Sequence, residues 1–383
     1  MKKIIAMLLA LVMVLAFAAC APSNQGETTK APEYTDGTTQ GSQGGSDLKV
    51  SVFWYDESDV YLSSVRSELN EQLDALGIAY DDQYAGKDQA RQLDQVRSAI
   101  TGGSNLLVVN VVTSGSTDVA EQILEAAGDI PVVFFNRSIG NDGQDVTVLN
   151  EHANSCFIGT DAPEAGHMQG KMIGEYLVEN YDEVDVNGDG VITYAMFKGE
   201  EGNAEAIYRT QYAVEDADKI LTEAGKKPLQ YFDPNNADKY QVDQGGAWSA
   251  AAAKEYMDTN FVTYNEASGN MIELVICNND GMAEGAIASL QGQGYNTGDA
   301  HVVPVFGVDA TENAIALIAD GAMTGTVKQD AEGMAKAIAG TIGALAEGKT
   351  PVDALAAQDD PRFSIATDCA SKLYVAYAPY TGE

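Results

Sequence analysis

The stretch NLLVVNVV (105–112) is an almost unbroken run of aliphatic residues with the length of one β-strand. A strand of a parallel sheet is covered by helices on both faces, so it is apolar along its whole length instead of alternating. Similar runs recur at 48–55, 131–136, 156–160, 191–199, 229–232, 272–277, 301–308 and 323–329. Segments with helical periodicity separate them, at 60–76, 87–101, 115–127, 163–180, 204–225, 247–260, 281–293, 311–320 and 331–347. The alternation predicts an α/β protein with doubly wound, Rossmann-like sheets.

The folded part of this 383-residue chain begins near residue 48, which makes it long for one hydrophobic core. We therefore expect two lobes joined by a hinge. The first lobe is expected to hold residues 48–135 with about 330–347. The second lobe is expected to hold about 136–329 with 348–383.

The N-terminal residues predict export. MKK precedes an apolar run from Ile4 to Ala19 that ends at Cys20, which is typical of a secretory signal over residues 1–20. FAAC (17–20) matches a lipobox except that Phe17 stands where Leu is usual, so we expect Cys20 to carry lipid. The apolar run is short for a membrane span, which disfavours that alternative. Residues 21–47 are rich in Ser, Thr, Gly and Gln and predict a flexible tether outside the cytoplasm.

Charge and cysteine usage narrow the class of partner. The formal net charge of −35 disfavours nucleic acid, because its phosphates would be repelled. Cys156, Cys277 and Cys369 lie in or beside apolar stretches, so we expect buried thiols and not a disulfide framework. The spacing of Cys and His residues gives no support for a zinc site.

Polar residues follow most of the predicted strands. They are Asp59, Asn110, Asn136, Arg137, Asp161, Asn278, Asn279, Asp280, Asp309, Gln329 and Asp330. Ligands of doubly wound sheets bind beyond the carboxyl ends of the strands, although each residue taken alone could simply cap the next helix. Planar amides and carboxylates suit sugar hydroxyls, which both donate and accept hydrogen bonds. No phosphate-binding loop is present in the sequence.

The stretch DVNGDGVIT (185–193) has oxygen-bearing side chains at alternate positions, followed by Gly190. This order is that of the first half of an EF-hand calcium loop. The twelfth position, which should carry a bidentate Glu, is Met196. Either the missing carboxylate comes from elsewhere in the chain, or the stretch is an Asp/Asn/Gly turn without metal.

A set of motifs in order resembles one known family. The motifs are VVFFN (132–136), GTDAPEAGHMQG (159–170), DVNGDG (185–190), FKGEEG (197–202), ICNNDGMAEGA (276–286), PVFGVDA (304–310) and AMTGTVKQDA (322–331). Together they resemble the galactose/glucose-binding proteins, the periplasmic receptors of ABC sugar importers and of chemotaxis. The resemblance covers 48–383 and implies two type I periplasmic-binding-protein lobes. DPNNADKYQVDQGG (233–246) is an insertion relative to this family.

The resemblance implies two sets of ligands. Those for the sugar would be Asp59, Tyr61, Asn110, Asn203, Glu205, Arg209, Trp248, Asn279, Asp309 and Gln329. Those for Ca²⁺ would be Asp185, Asn187, Asp189, the carbonyl of Val191, Thr193 and Glu273. Tyr61 and Trp248 would sandwich the sugar ring, Asp59 would distinguish galactose from glucose, and Arg209 would donate to the ring edge. Gln329 would lie at a crossover between the lobes.

Several of these positions depart from the family pattern. The family has Phe at Tyr61, His at Asn203, Asp at Glu205 and Asn at Gln329, and it usually has Gln at Thr193. We expect these changes to leave a sugar-binding role intact. They affect which sugar is bound, and the residues favour galactose over glucose without deciding between them.

The function expected from this resemblance is that of a monomeric, calcium-containing, lipid-anchored receptor. It would bind galactose or glucose between its lobes and deliver it to an ABC permease, with a chemoreceptor as a further partner. A receptor for another monosaccharide or for a galactoside is the nearest alternative. A secreted glycosidase is a less favoured alternative, and such an enzyme would use paired carboxylates for catalysis. A sugar-sensing repressor would need an N-terminal helix-turn-helix, where this chain has a signal and a tether.

Overall fold

The computed structural model describes residues 48–298 and 300–382. The signal segment 1–20 with Cys20, and the tether 21–47, lie outside the described residues. Within the described residues, no helix is both long enough and apolar enough to cross a membrane.

Strands and helices alternate along the described chain. The strands are β1 (Lys49–Trp54), β2 (Ala79–Tyr84), β3 (Leu106–Val109), β4 (Val132–Phe135), β5 (Ser155–Gly159), β6 (Thr193–Lys198), β7 (Gln230–Tyr231), β8 (Gln241–Val242), β9 (Leu274–Cys277), β10 (Val305–Asp309), β11 (Gly325–Lys328), β12 (Phe363–Ile365), β13 (Lys372–Val375) and β14 (Ala378–Tyr380). The α-helices are α1 (Val60–Leu76), α2 (Gln89–Thr101), α3 (Thr117–Ala127), α4 (Gln144–Glu151), α5 (Ala162–Val184), α6 (Ala204–Glu223), α7 (Ala250–Phe261), α8 (Asp280–Gly292), α9 (Glu312–Ala319), α10 (Ala331–Ala346) and α11 (Pro351–Ala356). A short 3₁₀ helix spans Glu266–Ser268.

The strands form two sheets, and each is the centre of one lobe. The first sheet has the order β12-β13-β5-β4-β3-β1-β2, and the second has the order β14-β11-β10-β9-β6-β7, with β8 also paired to β6. Pairing is parallel except at β12–β13 and β11–β14, which are antiparallel. Helices cover both sheets, and the central strands β3, β4 and β9 are buried along their whole length. The prediction of two doubly wound α/β lobes is confirmed.

The lobe boundaries differ from those expected. Strand β5 pairs with β4 and β13, so residues 155–159 and 363–375 belong to the first lobe and not to the second. Helix α10 packs in the lobe expected for it, the first, where Met334 and Ile338 share a core cluster with Leu69 of α1. The chain therefore crosses between lobes three times, after β5, after β11 and between β13 and β14. Strand pairing decides these boundaries, and local sequence does not encode it.

Strand β2, at the edge of the first sheet, was not predicted because AYDDQY is rich in polar residues. The structure provides a partner for each of its acidic groups. Asp82 is buried and accepts hydrogen bonds from Trp54 Nε1 at 2.7 Å and from Asn70 at 3.0 Å. Asp81 accepts a hydrogen bond from Ser51 Oγ at 2.6 Å. Polar residues occupy this strand because the first sheet supplies their donors.

Helices α5 and α6 pack unusually closely in the second lobe, because α5 carries a glycine at every fourth position. Residues four apart lie on one face of a helix, so Gly166, Gly170 and Gly174 form a single stripe. A Cβ at Gly166 would lie 2.4 Å from the carbonyl oxygen of Tyr208, and one at Gly170 would lie 2.4 Å from that of Tyr212. This contact fixes the position of the N-terminal half of α6, which carries Glu205 and Arg209.

The substitution Gly170→Ala tests this packing. We expect it to lower the free energy of unfolding by about 1–3 kcal/mol, because the new methyl group meets backbone atoms of α6 that cannot rotate away. The matched control is Gly343→Ala in α10, where no described atom lies within 4 Å of the added carbon. There the higher helix propensity of Ala should stabilise the protein by about 0.5–1 kcal/mol. Thermal unfolding of both variants measures the difference, and a Gly170→Ala variant as stable as the wild type would contradict the close packing.

Candidate functional site

The ends of the strands in both lobes face a common cleft. Side chains from both lobes line it. They are Asp59, Tyr61, Asn136, Arg137, Asn203, Glu205, Arg209, Trp248, Asn279, Asp309 and Gln329. The structure thus brings together all the sugar-binding residues predicted from the sequence except Asn110. We call this space the candidate cleft.

Three of the lining residues also cap helices. Asp59 accepts a hydrogen bond from the backbone N–H of Leu62 in α1 at 2.8 Å. In the second lobe, Asn203 caps α6 at 3.2 Å and Asn279 caps α8 at 2.9 Å. The same three residues therefore both cap a helix and line the candidate cleft. The cap bond fixes the orientation of each side chain at the rim.

Arg209 of α6 is buried at the centre of the candidate cleft, with 3% exposure. Its Nη1 donates to the carbonyl oxygen of Asn278 at 2.9 Å. Its Nη2 lies 2.9 Å from oxygens of Glu205, Gln329 and Tyr377. Gln329 and Tyr377 belong to two of the three crossovers between the lobes. The guanidinium group therefore connects helix α6 to the end of β9 and to two of the crossovers between the lobes.

Three polar atoms of cleft residues are buried and have no hydrogen-bond partner in the described part of the chain. They are Tyr61 Oη, Arg209 Nε and Gln329 Nε2. The Gln329 amide lies near the Tyr61 hydroxyl without meeting the geometry of a hydrogen bond. Burial raises the pKa of Tyr61 well above its ordinary value, so its hydroxyl remains a donor. A buried donor without a partner costs about 1–3 kcal/mol, and a ligand that supplies acceptor oxygens would remove that cost.

Asp309, at the end of β10, has a strained backbone. Its φ is 132°, and that of Ala310 is 56°, in a region that favours glycine. Burial, and then the neighbouring Asp280, raise the pKa of Asp309 well above its ordinary value, while Arg209 lowers it. Strain and an uncompensated buried carboxyl group together are typical of a ligand site.

The two aromatic residues of the candidate cleft come from opposite lobes. Tyr61 is in the first turn of α1, and Trp248 precedes α7. The indole of Trp248 lies so close to Gly199 that a Cβ there would be 2.1 Å from a ring carbon. Trp248 also has a positive φ of 54°. The backbone at Gly199 and Trp248 therefore accommodates the indole ring closely. The C–H face of a sugar is a surface that packs well on such aromatic rings.

Asn110 does not line the candidate cleft, because its amide is fully used inside the first lobe. Its Oδ1 accepts from the N–H of Tyr55 at 3.3 Å. Its Nδ2 donates to the carbonyl oxygen of Phe135 at 3.1 Å and to Asn136 Oδ1 at 3.3 Å. Asn110 therefore supports the neighbouring Asn136, which does line the cleft.

Asn136 and Arg137 are cleft residues that the predicted ligand set omitted. The signal was present, since both directly follow the apolar run of β4. Arg137 Nη2 donates to both carboxylate oxygens of Glu200 in the second lobe, at 2.8 and 2.9 Å. Its Nε donates to the carbonyl oxygen of Val111. Arg137 thus links the two lobes directly at the edge of the cleft.

The predicted calcium loop meets Glu273, as the resemblance implied. Glu273 Oε1 accepts from the N–H of Val186 at 2.9 Å, and Oε2 accepts from that of Thr193 at 3.0 Å. Burial raises the pKa of Glu273 above its ordinary value. The loop carboxylate of Asp185 accepts from the N–H groups of Asp189 and Gly190.

The donor set of this loop fits a hard cation, since carboxylate, amide and carbonyl oxygens are the ligands that Ca²⁺ prefers. The carboxylates nevertheless bind backbone N–H groups, and among the described residues no three His, Cys, Asp or Glu side chains converge on a metal position. The Thr193 hydroxyl lies within hydrogen-bond distance of the carbonyl oxygen of Met271 and 3.2 Å from Glu273 Oε2. The calcium assignment therefore stays a prediction.

The three cysteines of the described residues are buried and free, as predicted. Cys156 and Cys277 lie on central strands, and burial raises the pKa of both thiols. They are therefore packing residues of the two sheets.

Two doubly wound lobes, three crossovers and a polar cleft with an aromatic ring from each side define the class of two-lobed solute-binding receptors. Residues 50–350 match the family model described as periplasmic binding protein domain. The chain belongs to this family.

Curated relatives share most of the chain. It is 32% identical to the D-galactose/methyl-galactoside binding periplasmic protein MglB of Haemophilus influenzae, over 80% of this chain and 84% of that protein. It is 27% identical to the multiple sugar-binding periplasmic receptor ChvE of Rhizobium radiobacter, over 79% of this chain and 77% of that protein. The resemblance to sugar-binding receptors is thereby confirmed.

Solved structures support the fold. A solute-binding protein of Clostridium phytofermentans with bound β-D-glucose is similar with a TM-score of 0.65 and 20% identity, covering 87% of this chain and 94% of that one. A Bacillus halodurans C-125 solute-binding protein with bound myo-inositol has a TM-score of 0.60 and 21% identity, covering 88% and 96%.

The substitution Gly199→Ala tests the packing of Trp248. Its methyl group would overlap the indole, so we expect Trp248 to leave its position and become accessible to solvent. The protein has two tryptophans, and Trp54 is fully buried. Acrylamide should therefore quench roughly half of the tryptophan emission in the variant, while it quenches little in the wild type. The control Gly292→Ala, where no described atom lies within 4 Å of the added carbon, should leave quenching unchanged. Unaltered quenching in Gly199→Ala would contradict the contact.

Proposed function

We propose that this protein is an extracytoplasmic receptor that closes its two lobes on a hexose and delivers it to an ABC sugar importer. One observation carries the proposal. Three buried donors have no partner in the described part of the chain, and the residues that carry them line one cleft with aromatic rings from both lobes. These donors are Tyr61 Oη, Arg209 Nε and Gln329 Nε2. A sugar supplies acceptor oxygens for the donors and C–H faces for the rings.

The charge of the candidate cleft supports a neutral ligand. Asp59, Glu205 and Asp309 line it, and its two arginines, Arg137 and Arg209, are already paired with Glu200 and Glu205. Both arginines therefore already have a carboxylate partner, and neither is left free for a phosphate to bind. Glu205 is engaged by Thr160 Oγ1 at 2.7 Å as well as by Arg209. A sugar hydroxyl can donate to these carboxylates and also accept from the buried donors. A fully ionised anion can only accept.

Galactose and glucose are the hexoses that we favour. MglB of H. influenzae is named for D-galactose and methyl-galactoside, and the C. phytofermentans structure holds β-D-glucose. Another monosaccharide is the second candidate, because ChvE is named for multiple sugars and because Tyr61, Asn203, Glu205 and Gln329 depart from the galactose/glucose-binding pattern.

We propose binding without turnover. The raised pKa of the buried Asp309, near Asp59 and Glu205, is a feature that a glycosidase would share. The relatives are binding receptors, however, which favours a role for these carboxylates as hydroxyl acceptors. Chromatography of the sugar after prolonged incubation tests this, and a hydrolysed or altered product would contradict it.

We also propose that the protein is anchored through lipid on Cys20 and works outside the cytoplasm, which agrees with membership of a periplasmic receptor family. One lipid chain binds weakly, so more than one is required. Cys20→Ser should move the protein from the membrane fraction to the soluble fraction of cells. A variant that still sediments with membranes would exclude this anchor.

Calorimetry on protein stripped of co-purified sugar tests the ligand. We expect galactose or glucose to bind most tightly in a panel of hexoses and pentoses. Trp248→Ala should weaken hexose binding by about 2–4 kcal/mol, the effect of a buried aromatic anchor, which corresponds to roughly thirty- to several-hundred-fold. The matched control is Tyr256→Ala in the same lobe, outside the cleft lining, which should bind with wild-type affinity. Absence of binding to every sugar in the panel, or full affinity in Trp248→Ala, would refute the proposal.

For the calcium loop we propose that Ca²⁺ joins Asp185, Asn187, Asp189, the carbonyl of Val191, Thr193 and Glu273. The wild-type melting temperature should fall on chelation and recover with Ca²⁺, because binding to the folded state alone stabilises it. Glu273→Ala should remove that response, since the bidentate ligand is lost. Glu255→Ala, an exposed glutamate of α7, should keep it. A melting temperature that is insensitive to chelator in the wild type would exclude structural calcium.

A further inference from the structure

A second and larger space opens beside the candidate cleft. The two spaces are neighbours, because Asn136 and Glu205 line both. We call the larger one the second cavity. Nothing in the proposed hexose site requires it.

The walls of the second cavity come from both lobes. Ser138 and Asn141 follow β4 in the first lobe, and Tyr374 lies on β13. Asp161 and Tyr208 lie at the starts of α5 and α6 in the second lobe. The second cavity is therefore formed between the two lobes, as the candidate cleft is.

The chemistry of the walls suits a polyol. The rings of Tyr208 and Tyr374 contribute to the lining, and Tyr208 is supported from behind by a parallel stack on Tyr212, with centroids 5.8 Å apart. Asn141 Oδ1 is a buried acceptor with no partner in the described part of the chain. Asp161, at the N-cap of α5, makes no side-chain cap bond. Aromatic faces next to uncommitted oxygen acceptors match the C–H faces and hydroxyl donors of a sugar ring.

The charges of the second cavity disfavour an anionic occupant. Its lysine, Lys372, is committed to Asp145 at 2.7 Å. Asp142, Asp161 and Glu205 add negative charge to the walls. A phosphorylated or carboxylated sugar would be repelled, which leaves a neutral saccharide as the fitting class.

We propose that this receptor takes a disaccharide, with one hexose in the candidate cleft and the second sugar ring in the second cavity. The proposal rests on the proposed function and extends its ligand class from one ring to two. The glycosidic bond would lie at Asn136 and Glu205, which line both spaces.

Calorimetry of the full chain with lactose, melibiose, cellobiose and maltose, next to free galactose and glucose, tests this. At least one disaccharide should bind at least tenfold more tightly than either free hexose. Ala162→Trp places an indole in the second cavity from the first turn of α5. It should weaken that disaccharide by at least tenfold and leave the free hexose within twofold of wild type.

Tyr208→Ala should also weaken the disaccharide selectively, by about tenfold. Its control is Gln211→Ala, at an exposed position of α6 and outside the lining of the second cavity, which should change disaccharide affinity less than threefold. The proposal is overturned if free hexose binds but no disaccharide does, or if both cavity variants bind the disaccharide as the wild type does. If no sugar binds, hexoses included, both the proposed function and this extension are overturned.

Discussion

The buried guanidinium of Arg209 is the interaction on which the arrangement of the cleft depends. A buried charge costs several kcal/mol unless it is paired and fully hydrogen-bonded. Here Glu205 supplies the opposite charge at 2.9 Å, and Gln329 and Tyr377 supply further oxygens at 2.9 Å. Since two of these partners are on crossovers between the lobes, the pairing that neutralises the charge also fixes the hinge relative to α6. Among the described residues, the guanidinium nitrogen Nε of Arg209 has no partner, and Arg209 is a lining residue of the cleft.

Direct contacts between the lobes explain why the cleft is narrow. Arg137 of the first lobe binds Glu200 of the second, and Asn141 Nδ2 donates to the carbonyl oxygen of Gly202 at 2.8 Å. These contacts favour closure by themselves, while the unpartnered donors inside oppose it. A ligand that satisfies the donors only when the lobes meet would shift the balance towards the closed state. The lobes and the ligand are therefore coupled through the same few polar groups.

The sequence predicts the central strands well, because strands such as β3 and β4 are apolar on both faces. Prediction from the sequence fails where contacts between distant parts of the chain determine the local structure. Strand β2 is polar and exists because Trp54 and Asn70 satisfy Asp82. Strands β12 and β13 join the first sheet through pairing with β5, which no local pattern reveals.

The same distinction applies to the candidate site. Strand-end position and family resemblance indicated most of the cleft lining, and strand-end position alone indicated Arg137. Neither indicated that the Asn110 amide is used by groups inside the first lobe. The second cavity arises from the distance between two lobes, which is a property of the closed fold and not of any segment. A crystal structure of the protein with bound hexose is the decisive experiment for the role of the buried donors. We expect a sugar oxygen within about 3.2 Å of each of Tyr61 Oη, Arg209 Nε and Gln329 Nε2. A sugar bound elsewhere in the protein, or a bound sugar that leaves these three donors without partners, would exclude that role.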